Sequence, residues 1–414
     1  MLHCVEEVKN GVYWIGCNDF RTELFERIFP IPEGVSYNSY FIDDEKTCIL
    51  DTVDKSCRDE FVDDVQYLLK GRKLDYLIIN HMEPDHCGCI GALLELHPET
   101  QLVGQAQTIK FFEQFYRRPL PHNYHIVKEG DQLNLGKHVL QFVKAPMVHW
   151  PEVMMTYDIT DKILFCADAF GSFGVCGNVY ADQVDYETEY LDSARRYYVN
   201  IVGKYGPQVM NVLKKAAGIP IEMLCPIHGV IFRTPEDISY ILDKYLHWAQ
   251  YVPEQNGVLV AFASIYGNTE RAVDILAHKL SALGVHNVKL FDLAKHHPSY
   301  FTAQAWKYSH MILAAPTYNL NLFLPVDAAL HDLSTLLYKN RKIAIVGNHS
   351  WSSVAVKEMK NYVENVFKGC ELLEEPLDIT SSIAENEDEH LQRIAEAVAK
   401  SIKESPDPAT LIQK

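Results

Sequence analysis

The sequence lacks any paired-cysteine motif. Its ten cysteines are scattered over 414 residues without one C-x-x-C pair, which argues against a zinc ribbon, a rubredoxin module or a cysteine-ligated iron–sulfur cluster. The sequence has no apolar run of about 18 residues and no charged-then-apolar leader, so neither a membrane span nor a secretory signal is predicted. We therefore expect a cytoplasmic protein whose cysteines are reduced thiols.

Positive charge is also scarce. The chain has 38 Lys and Arg against 55 Asp and Glu, for a formal net charge of −17. Nucleic acids and anionic membranes attract cationic surfaces, so neither is an expected partner. A dispersed acidic surface is equally ordinary for a cytosolic protein. Two nucleotide-binding signatures, the Walker A motif and G-x-G-x-x-G, are absent as well.

The length, the hydrophobic content and the pattern of predicted strands and helices indicate a two-domain globular protein. With 414 residues, of which 48% are hydrophobic, the chain is too long for one ordinary core. Short β-rich runs and a helix near residues 58–70 fill the first half. The second half alternates apolar strands and helices, which predicts a parallel sheet covered on both faces. We expect one domain over residues 1–252, a second over 253–404, and a tail over 405–414.

Potential metal ligands follow the predicted strands of the first half. A buried strand over residues 74–80 leads into His81, Glu83, Asp85 and His86, and Pro84 prevents simple continuation of the strand. Three further candidates each come after a predicted strand: His149, Asp168 and His228. Any one of these segments could be an ordinary polar loop. Seven such side chains at strand ends of one domain predict a metal site, because functional groups gather in these loops.

The order of these residues resembles the ligand order of the metallo-β-lactamase fold. Hydrolases of that fold carry H-x-H-x-D-H, whereas this sequence has Glu83 at the third position and reads H-x-E-x-D-H, as flavodiiron proteins do. The later gaps of 62, 18 and 59 residues and the segment His149-Trp150-Pro151 are also similar to that family. A carboxylate in place of an imidazole suits iron cycling between ferrous and ferric states better than zinc.

The resemblance implies a di-iron centre whose ligands are also the catalytic residues. One iron would take His81, Glu83 and His149. The other would take Asp85 and His228, with Asp168 bridging the two metals. His86 is left open as a ligand, because members of the family differ there.

The second half begins with a strand, a polar turn and a helix. Hydroxyl groups and backbone N–H groups at a helix N-terminus can hold a phosphate without Lys or Arg, although the same residue types form ordinary turns and caps. Two later loops also follow apolar strands. The candidate cofactor-binding residues are Ser264, Ile265, Tyr266, Gly267, Asn268, Thr269, Pro316, Thr317, Tyr318, Asn319, Gly347, Asn348, Ser350, Trp351 and Ser352.

These three loops resemble those of flavodoxins. The resemblance implies a sheet of order 2-1-3-4-5, with FMN at the carboxyl ends of the strands. Tyr318 and Trp351 could instead be core aromatic residues. Family members usually show a Gly-rich run after this Trp, whereas Ser352 and Ser353 stand here.

Over about residues 1–400, the resemblance implies an N-terminal metallo-β-lactamase-like αββα sandwich and a C-terminal flavodoxin-like, doubly wound parallel sheet. The implied enzyme is an oxidoreductase that reduces dioxygen to water, nitric oxide to nitrous oxide, or both. One rival is a hydrolase with two Zn²⁺ ions that activate water, but Glu83 and the flavodoxin half argue against it. Another is an electron carrier whose first domain is only a scaffold.

The resemblance also implies partners. With no rubredoxin-like C-x-x-C module in the sequence, the electron donor is expected to be external: a rubredoxin, a flavin reductase or a deazaflavin. Family members pair head to tail, so we expect a homodimer or a dimer of dimers. The preference for dioxygen or nitric oxide stays open, because both substrates need the same ligands and flavin.

Overall fold

A computed structural model of the chain describes residues 3–117 and 123–413. These residues form two compact units. The first runs to Tyr198 and resumes over Pro207–Asp243, and the second contains Val199–Gly206 and the chain from Lys244 onward. The second unit thus begins upstream of the predicted boundary at 252/253. Of the predicted domain and tail ranges, residues 1, 2, 118–122 and 414 lie outside the described residues.

The first unit is built mainly from short strands. They are β1 (Glu6–Lys9), β2 (Val12–Trp14), β3 (Cys17–Asp19), β4 (Leu24–Phe25), β5 (Phe29–Pro30), β6 (Val35–Tyr37), β7 (Tyr40–Ile42), β8 (Cys48–Leu50), β9 (Tyr76–Ile78), β10 (Gln101–Gly104), β11 (Tyr124–Ile126), β12 (Gln132–Asn134), β13 (Val139–Lys144), β14 (Met154–Asp158), β15 (Ile163–Phe165) and β16 (Met223–Cys225).

Two sheets of this unit share one core. A seven-stranded sheet has the order β1-β2-β7-β8-β9-β10-β11, and a five-stranded sheet has the order β12-β13-β14-β15-β16. Buried side chains of both sheets, among them Trp14, Ile78, Phe142 and Phe165, belong to a single apolar cluster. Burial of these two faces against each other stabilises the sandwich. The remaining strands of this unit form two small two-stranded sheets, β3-β6 and β4-β5.

Helices follow many of the strands. They are α1 (Arg58–Leu69), α2 (Pro84–Cys87), α3 (Ile90–Leu96), α4 (Ala106–Tyr116), α5 (Leu191–Tyr197), α6 (Gly206–Ala216) and α7 (Pro235–Ala249). The start of α7 agrees with the sequence pattern: Thr234 Oγ1 accepts a hydrogen bond from Asp237 N at 3.1 Å, and Pro235 occupies the first helical position.

The second unit is a parallel sheet with helices between its strands. Its strands are β17 (Gln255–Phe262), β18 (Val288–Asp292), β19 (Tyr308–Tyr318), β20 (Asn321–Leu322), β21 (Lys342–His349), β22 (Glu371–Leu372) and β23 (Leu377–Thr380). Its helices are α8 (Asn268–Ala282), α9 (Pro298–Lys307), α10 (Leu324–Thr335), α11 (Ala355–Asn361) and α12 (Glu385–Glu404).

The strand order confirms the predicted topology. The sheet runs β18-β17-β19-β21, with β22 and β23 both paired beyond β21, which is the order 2-1-3-4-5. The first nine residues of β19 are all buried, as expected for a central strand covered on both faces. After α12, Pro408 is buried and Asn256 Nδ2 donates to the Pro406 carbonyl at 2.9 Å. The predicted tail therefore contacts the second unit.

The prediction that all ten cysteines are reduced thiols is wrong for one pair. Cys17 of β3 and Cys57, which ends a 3₁₀ turn before α1, form a disulfide across 40 residues of sequence. The fold brings their Cα atoms to 6.4 Å, a proximity that no local spacing in the sequence reveals. The other eight cysteines are free.

Across the described ranges 3–117 and 123–413, the helices are all too short or too polar to span a bilayer.

Candidate functional site

The predicted metal ligands lie at the ends of strands in the first unit. β9 leads through Asn80 to His81, and Pro84 opens the short helix α2 that carries Asp85 and His86. His149 lies in the loop between β13 and β14, whereas Asp168 and His228 follow β15 and β16. Because these strands are packed in the sandwich, their ends bring together residues that are up to 147 positions apart, from His81 to His228.

Asp51, which follows β8, fixes the start of the first ligand loop. Its carboxylate accepts hydrogen bonds from Asn80 N at 2.7 Å, Asn80 Nδ2 at 2.8 Å and His81 N at 3.1 Å. All three residues are buried. These bonds hold the backbone at His81 in place and satisfy polar groups that burial would otherwise leave without partners.

Four of the predicted residues form a first cluster. They are His81, Glu83, His149 and Asp168, and their ligand atoms all lie within 4.8 Å of one another. The same limit holds among the ligand atoms of the second cluster, described below. Glu83 Oε2 is 3.1 Å from His81 Nε2 and 3.0 Å from His149 Nε2. Asp168 Oδ2 is 3.2 Å and 3.3 Å from the same two nitrogens.

The remaining three predicted residues, Asp85, His86 and His228, form a second cluster. Asp85 Oδ2 is 3.3 Å from His86 Nε2 and 3.4 Å from His228 Nε2, and these two nitrogens are 2.9 Å apart. The structure thus places His86, which the sequence left open, beside the other two.

Asp168 is shared between the two clusters. While its Oδ2 atom faces His81 and His149, its Oδ1 atom is 3.5 Å from His86 Nε2 and 3.8 Å from His228 Nε2. Tyr197 donates its hydroxyl to the same Oδ1 at 2.7 Å. A buried carboxylate with one oxygen toward each of two ligand groups has the arrangement that a bridge between two metal ions requires.

The outer contacts of the imidazoles direct their free nitrogens inward. His81 Nδ1 lies 2.8 Å from Glu152 Oε1 and His228 Nδ1 lies 2.7 Å from the Ser36 carbonyl. Carboxylate and carbonyl oxygens only accept, so both Nδ1 atoms carry a hydrogen and both Nε2 atoms face the clusters, where each neutral ring offers a lone pair to a metal ion. Such outer-shell acceptors orient metal-binding histidines.

The donor set fits two cations. Asp85 Oδ1, Asp85 Oδ2 and Asp168 Oδ2 are buried and have no hydrogen-bond partner among the residues that the structure describes, although buried polar atoms are normally paired. Nitrogen and carboxylate ligands in these proportions, without any thiolate, suit iron. Burial alone would raise the pKa of Asp168, but the imidazoles of His81, His149 and His86 outweigh it and hold that pKa well below its ordinary value.

Two residues of the site were missed by the sequence interpretation. Glu152 is fully buried, and its Oε1 accepts from both His81 Nδ1 and Met82 N. Tyr197, at the end of α5, is the donor to Asp168. Glu152 could have been suspected from its place directly after His149-Trp150-Pro151, whereas nothing in the sequence around Tyr197 marks it.

The predicted flavin loops lie together at one edge of the parallel sheet. β17, β19 and β21 are neighbours, and Pro316 is in register with Asn348. Gly267, with φ of 92°, precedes α8 and provides no side-chain hydrogen bond to the helix. A Cβ atom there would meet nothing within 4 Å. The N–H groups of the first turn of α8 therefore have no capping side chain, which suits a bound phosphate.

Several candidate side chains of these loops also hold the loops together. Ser264 Oγ accepts from Gly267 N at 3.1 Å, and Asn348 Nδ2 donates to the Ser381 carbonyl at 3.0 Å. Thr317 Oγ1 accepts from Val354 N and Ala355 N at 3.0 Å each. Thr317 therefore connects the loop after β19 to the loop after β21.

The remaining candidates differ in exposure. Tyr266 is 93% exposed, Trp351 79% and Tyr318 40%, so neither Tyr318 nor Trp351 is a core aromatic residue. Ile265 and Asn319 are also exposed or partly so, whereas Thr269 is buried at the start of α8. Ser350 Oγ accepts from Ser381 Oγ at 3.0 Å, Gly347 lies against Val356, and Ser352 is partly exposed. Exposed aromatic rings at this edge provide flat apolar surfaces for a planar ligand.

Fold and site together define a two-part oxidoreductase, with a metallo-β-lactamase-like unit for two metals and a flavodoxin-like unit. The family model described as "ODP family beta lactamase" matches residues 35–229. An anaerobic nitric oxide reductase flavorubredoxin of Aeromonas hydrophila is 31% identical over 364 residues, which cover 85% of this chain and 71% of the relative.

Solved structures agree with this result. The rubredoxin:oxygen oxidoreductase of Desulfovibrio gigas has a TM-score of 0.89 at 27% identity and covers 96% of this chain and 98% of its own. The flavodiiron protein of Giardia intestinalis has a TM-score of 0.90 at 24% identity, with coverage of 97% and 98%, and shows the same fold. The chain belongs to the flavodiiron protein family. Its cofactors are accordingly a di-iron centre and FMN.

Proposed function

We propose that this chain reduces dioxygen to water, nitric oxide to nitrous oxide, or both, at its di-iron centre, with electrons delivered through FMN from an external donor. The observation that carries the proposal is Asp168, whose two oxygens face two separate ligand groups. The relatives named above as a nitric oxide reductase and an oxygen oxidoreductase support the same two substrates.

The proposed ligands follow the two clusters. His81, Glu83 and His149 would hold one iron, and Asp85, His86 and His228 the other, with Asp168 bridging. His86 Nε2 lies at nearly the same distances from Asp85 Oδ2 and Asp168 Oδ1 as His228 Nε2 does, which supports including His86. The chemistry supplied by the bound cofactors is electron transfer: two ferrous ions and a reduced flavin hold four electrons, the number that reduction of dioxygen to water consumes.

The residues around the metals have positioning roles. Glu152 and the Ser36 carbonyl fix the ring orientations of His81 and His228, so that neither of these two imidazoles has to turn when a metal binds. Tyr197 donates a hydrogen bond to Asp168 Oδ1, the oxygen that faces the second cluster. The near-complete burial of these side chains keeps bulk water away from the ligands.

On the second unit, we propose that FMN binds at the three strand-end loops. The first turn of α8 and the Ser264–Thr269 loop would hold the phosphate, and the rings of Tyr318 and Trp351 would lie against the isoalloxazine. The other candidates of the three loops would contact the ribityl chain or shape the pocket. The uncapped helix start and the exposed aromatic rings support this placement.

We also propose that two chains pair head to tail, so that the flavin of one chain faces the irons of its partner; a dimer of dimers would preserve this pairing. The external donor would be a rubredoxin, a flavin reductase or a deazaflavin. The relative from Desulfovibrio gigas is a rubredoxin:oxygen oxidoreductase, which favours the first of these. The cytoplasmic location stays a prediction from composition, and the Cys17–Cys57 disulfide makes it worth testing.

The test is anaerobic kinetics with chemically reduced protein and each gas in turn, after iron and FMN have been counted. We expect about two irons and one FMN per chain, and consumption of at least one gas without release of peroxide. Zinc in place of both irons in protein made with ample iron, together with hydrolysis of β-lactams or thioesters, would instead establish the hydrolase.

A further inference from the structure

A second group of potential ligands lies away from the di-iron site, within the first unit. His138, Asp158 and Asp161 are buried, and their ligand atoms lie within 4.8 Å of one another. His138 directly precedes β13, Asp158 ends β14, and Asp161 lies in the turn that leads to β15. None of these residues belongs to the sites described above.

The hydrogen bonds around His138 determine which nitrogen faces the carboxylates. His138 Nε2 is 3.1 Å from the Asn10 carbonyl, which only accepts, so Nε2 carries a hydrogen. The other nitrogen, Nδ1, is 2.7 Å from Asp158 Oδ2 and 3.9 Å from Asp161 Oδ2. The space between Nδ1 and the two carboxylates must therefore contain a proton or another cation.

The charges near this space are mostly negative. Asp44, also buried, accepts from the backbone N–H of His138 through Oδ2 at 2.8 Å, so a third carboxylate lies beside this residue. Lys9 places its ammonium 3.0 Å from the Asp161 carbonyl oxygen and 3.0 Å from Glu222. Lys162 likewise pairs with Glu222 at 2.7 Å. A protonated His138 would neutralise only one of the two carboxylate charges of Asp158 and Asp161.

One oxygen of the group is left without a partner. Asp161 Oδ1 accepts from Asn10 Nδ2 at 2.8 Å, but Asp161 Oδ2 is buried and has no hydrogen-bond partner within the described ranges. The Asp161 side chain is only 9% exposed. A buried carboxylate oxygen that points toward an imidazole nitrogen and a second carboxylate is the kind of unsatisfied atom that an unseen ion explains.

We propose that His138, Asp158 and Asp161 bind one divalent cation of the zinc class, separate from the di-iron centre. One imidazole and two carboxylates are common zinc ligands. The two Nδ1–oxygen separations, 2.7 Å and 3.9 Å, bracket the ~3.3 Å between ligand atoms of a tetrahedral zinc ion with bonds near 2.0–2.1 Å. Small opposite shifts of the two carboxylates would make the two Nδ1–oxygen separations equal.

The position of the site gives the cation a structural role. Asn10 lies in the turn between β1 and β2 at the edge of the seven-stranded sheet, and it bonds both His138 and Asp161. The three ligands belong to the five-stranded sheet and its turns. A bound cation would fix these ligands, and through Asn10 it would join the edges of the two sheets.

The test starts from the iron- and FMN-loaded protein, equilibrated by dialysis with buffered micromolar Zn²⁺. Zinc and iron are then counted per chain. We expect about one zinc in addition to the irons, and a fall in zinc affinity of more than roughly tenfold in Asp161→Asn. Iron content and gas reduction should stay unchanged in that variant, because Asp161 touches no residue of the di-iron clusters. The matched control is Asp63→Asn: Asp63 also lies beside a histidine, 4.0 Å from His3 Nδ1, but is 76% exposed.

A measurement on the unaltered protein covers the case in which Asp161→Asn does not fold. Crystals equilibrated with zinc should show anomalous scattering at the zinc edge, about 2.0–2.2 Å from His138 Nδ1 and the two carboxylates. Absence of that signal, absence of the extra zinc, or equal zinc binding by Asp161→Asn and wild type would overturn the proposal. The group would then be an ion pair between protonated His138 and its carboxylates.

Discussion

Glu152→Gln tests whether an outer carboxylate strengthens iron binding through His81. Glu152 is fully buried, and its Oε1 accepts from His81 Nδ1 at 2.8 Å and Met82 N at 2.9 Å. Glutamine keeps the volume and one acceptor oxygen but removes the charge. Because Glu152 Oε2 has no hydrogen-bond partner among the described residues, the substitution breaks no bond at that oxygen.

The size of the effect follows from these two bonds. Hydrogen bonds to a charged group are worth about 1.5–3 kcal/mol and neutral ones about 0.5–1.5 kcal/mol. Loss of the charge at two bonds thus costs about 2 kcal/mol, or roughly thirtyfold in iron affinity if the loss falls on the metal-bound state. This value lies within the ~10–100-fold effect of losing an outer-shell partner of a metal ligand.

The assay is iron retention against a chelator at increasing concentration, with iron and FMN counted per chain. We expect Glu152→Gln to lose iron at lower chelator concentrations than wild type while its FMN content stays the same. Glu129→Gln is the control, because Glu129 is 48% exposed and pairs with Lys215. If Glu152→Gln retains iron as wild type does, Glu152 does not act through His81.

Three further predictions concern the bridge, the dimer and the second unit. Asp168→Asn should lower iron content or abolish gas reduction with FMN still bound, since a neutral amide cannot share charge between two cations; normal irons and turnover would refute the bridge. Mixing Asp168→Asn with Thr269→Arg, which lacks flavin, should make roughly half the dimers mixed and restore roughly a quarter of wild-type activity; no recovery despite proven subunit exchange would refute the cross-chain pairing. Burial, assisted by the charges of Lys342 and Arg341, lowers the pKa of His310 from 6.5 to about 4. The unfolded chain then binds more protons between these two values, so stability is full above the unfolded pKa and falls by about 2 kcal/mol at pH 5. Urea titrations should show a flatter pH dependence for His310→Gln, and an unchanged slope would contradict the assignment.

The sequence predicted those parts of the site that local pattern determines. The run from His81 to His86 follows an apolar strand and carries its ligands within six residues, and the isolated ligands also come directly after apolar strands. A parallel sheet covered on both faces, though not its order, which only the flavodoxin resemblance implied, followed from the alternation of strands and helices. These features depend on neighbours in sequence, which periodicity and spacing can show.

Contacts between distant residues could not be predicted in the same way. Glu152 acts on His81 across 71 positions and Tyr197 on Asp168 across 29. The disulfide joins Cys17 to Cys57, and the group around His138 depends on Asn10, 128 positions earlier. In each case the tertiary packing of the first unit brings the partners together, and a single sequence does not specify that packing. The short strands β3 to β6 were missed as well, because runs of two or three residues carry no clear periodicity.

The path of the chain has a practical consequence. Residues 199–206 belong to the second unit although they lie between two stretches of the first, so the chain passes between the units three times. No single cut can therefore separate the two. A fragment that ends at residue 252 would still carry Val199 and Val202, both fully buried in the intact protein, without the unit to which they belong. The two halves are thus interleaved in sequence, and a swap of one flavodoxin-like half for another would have to replace this internal segment too.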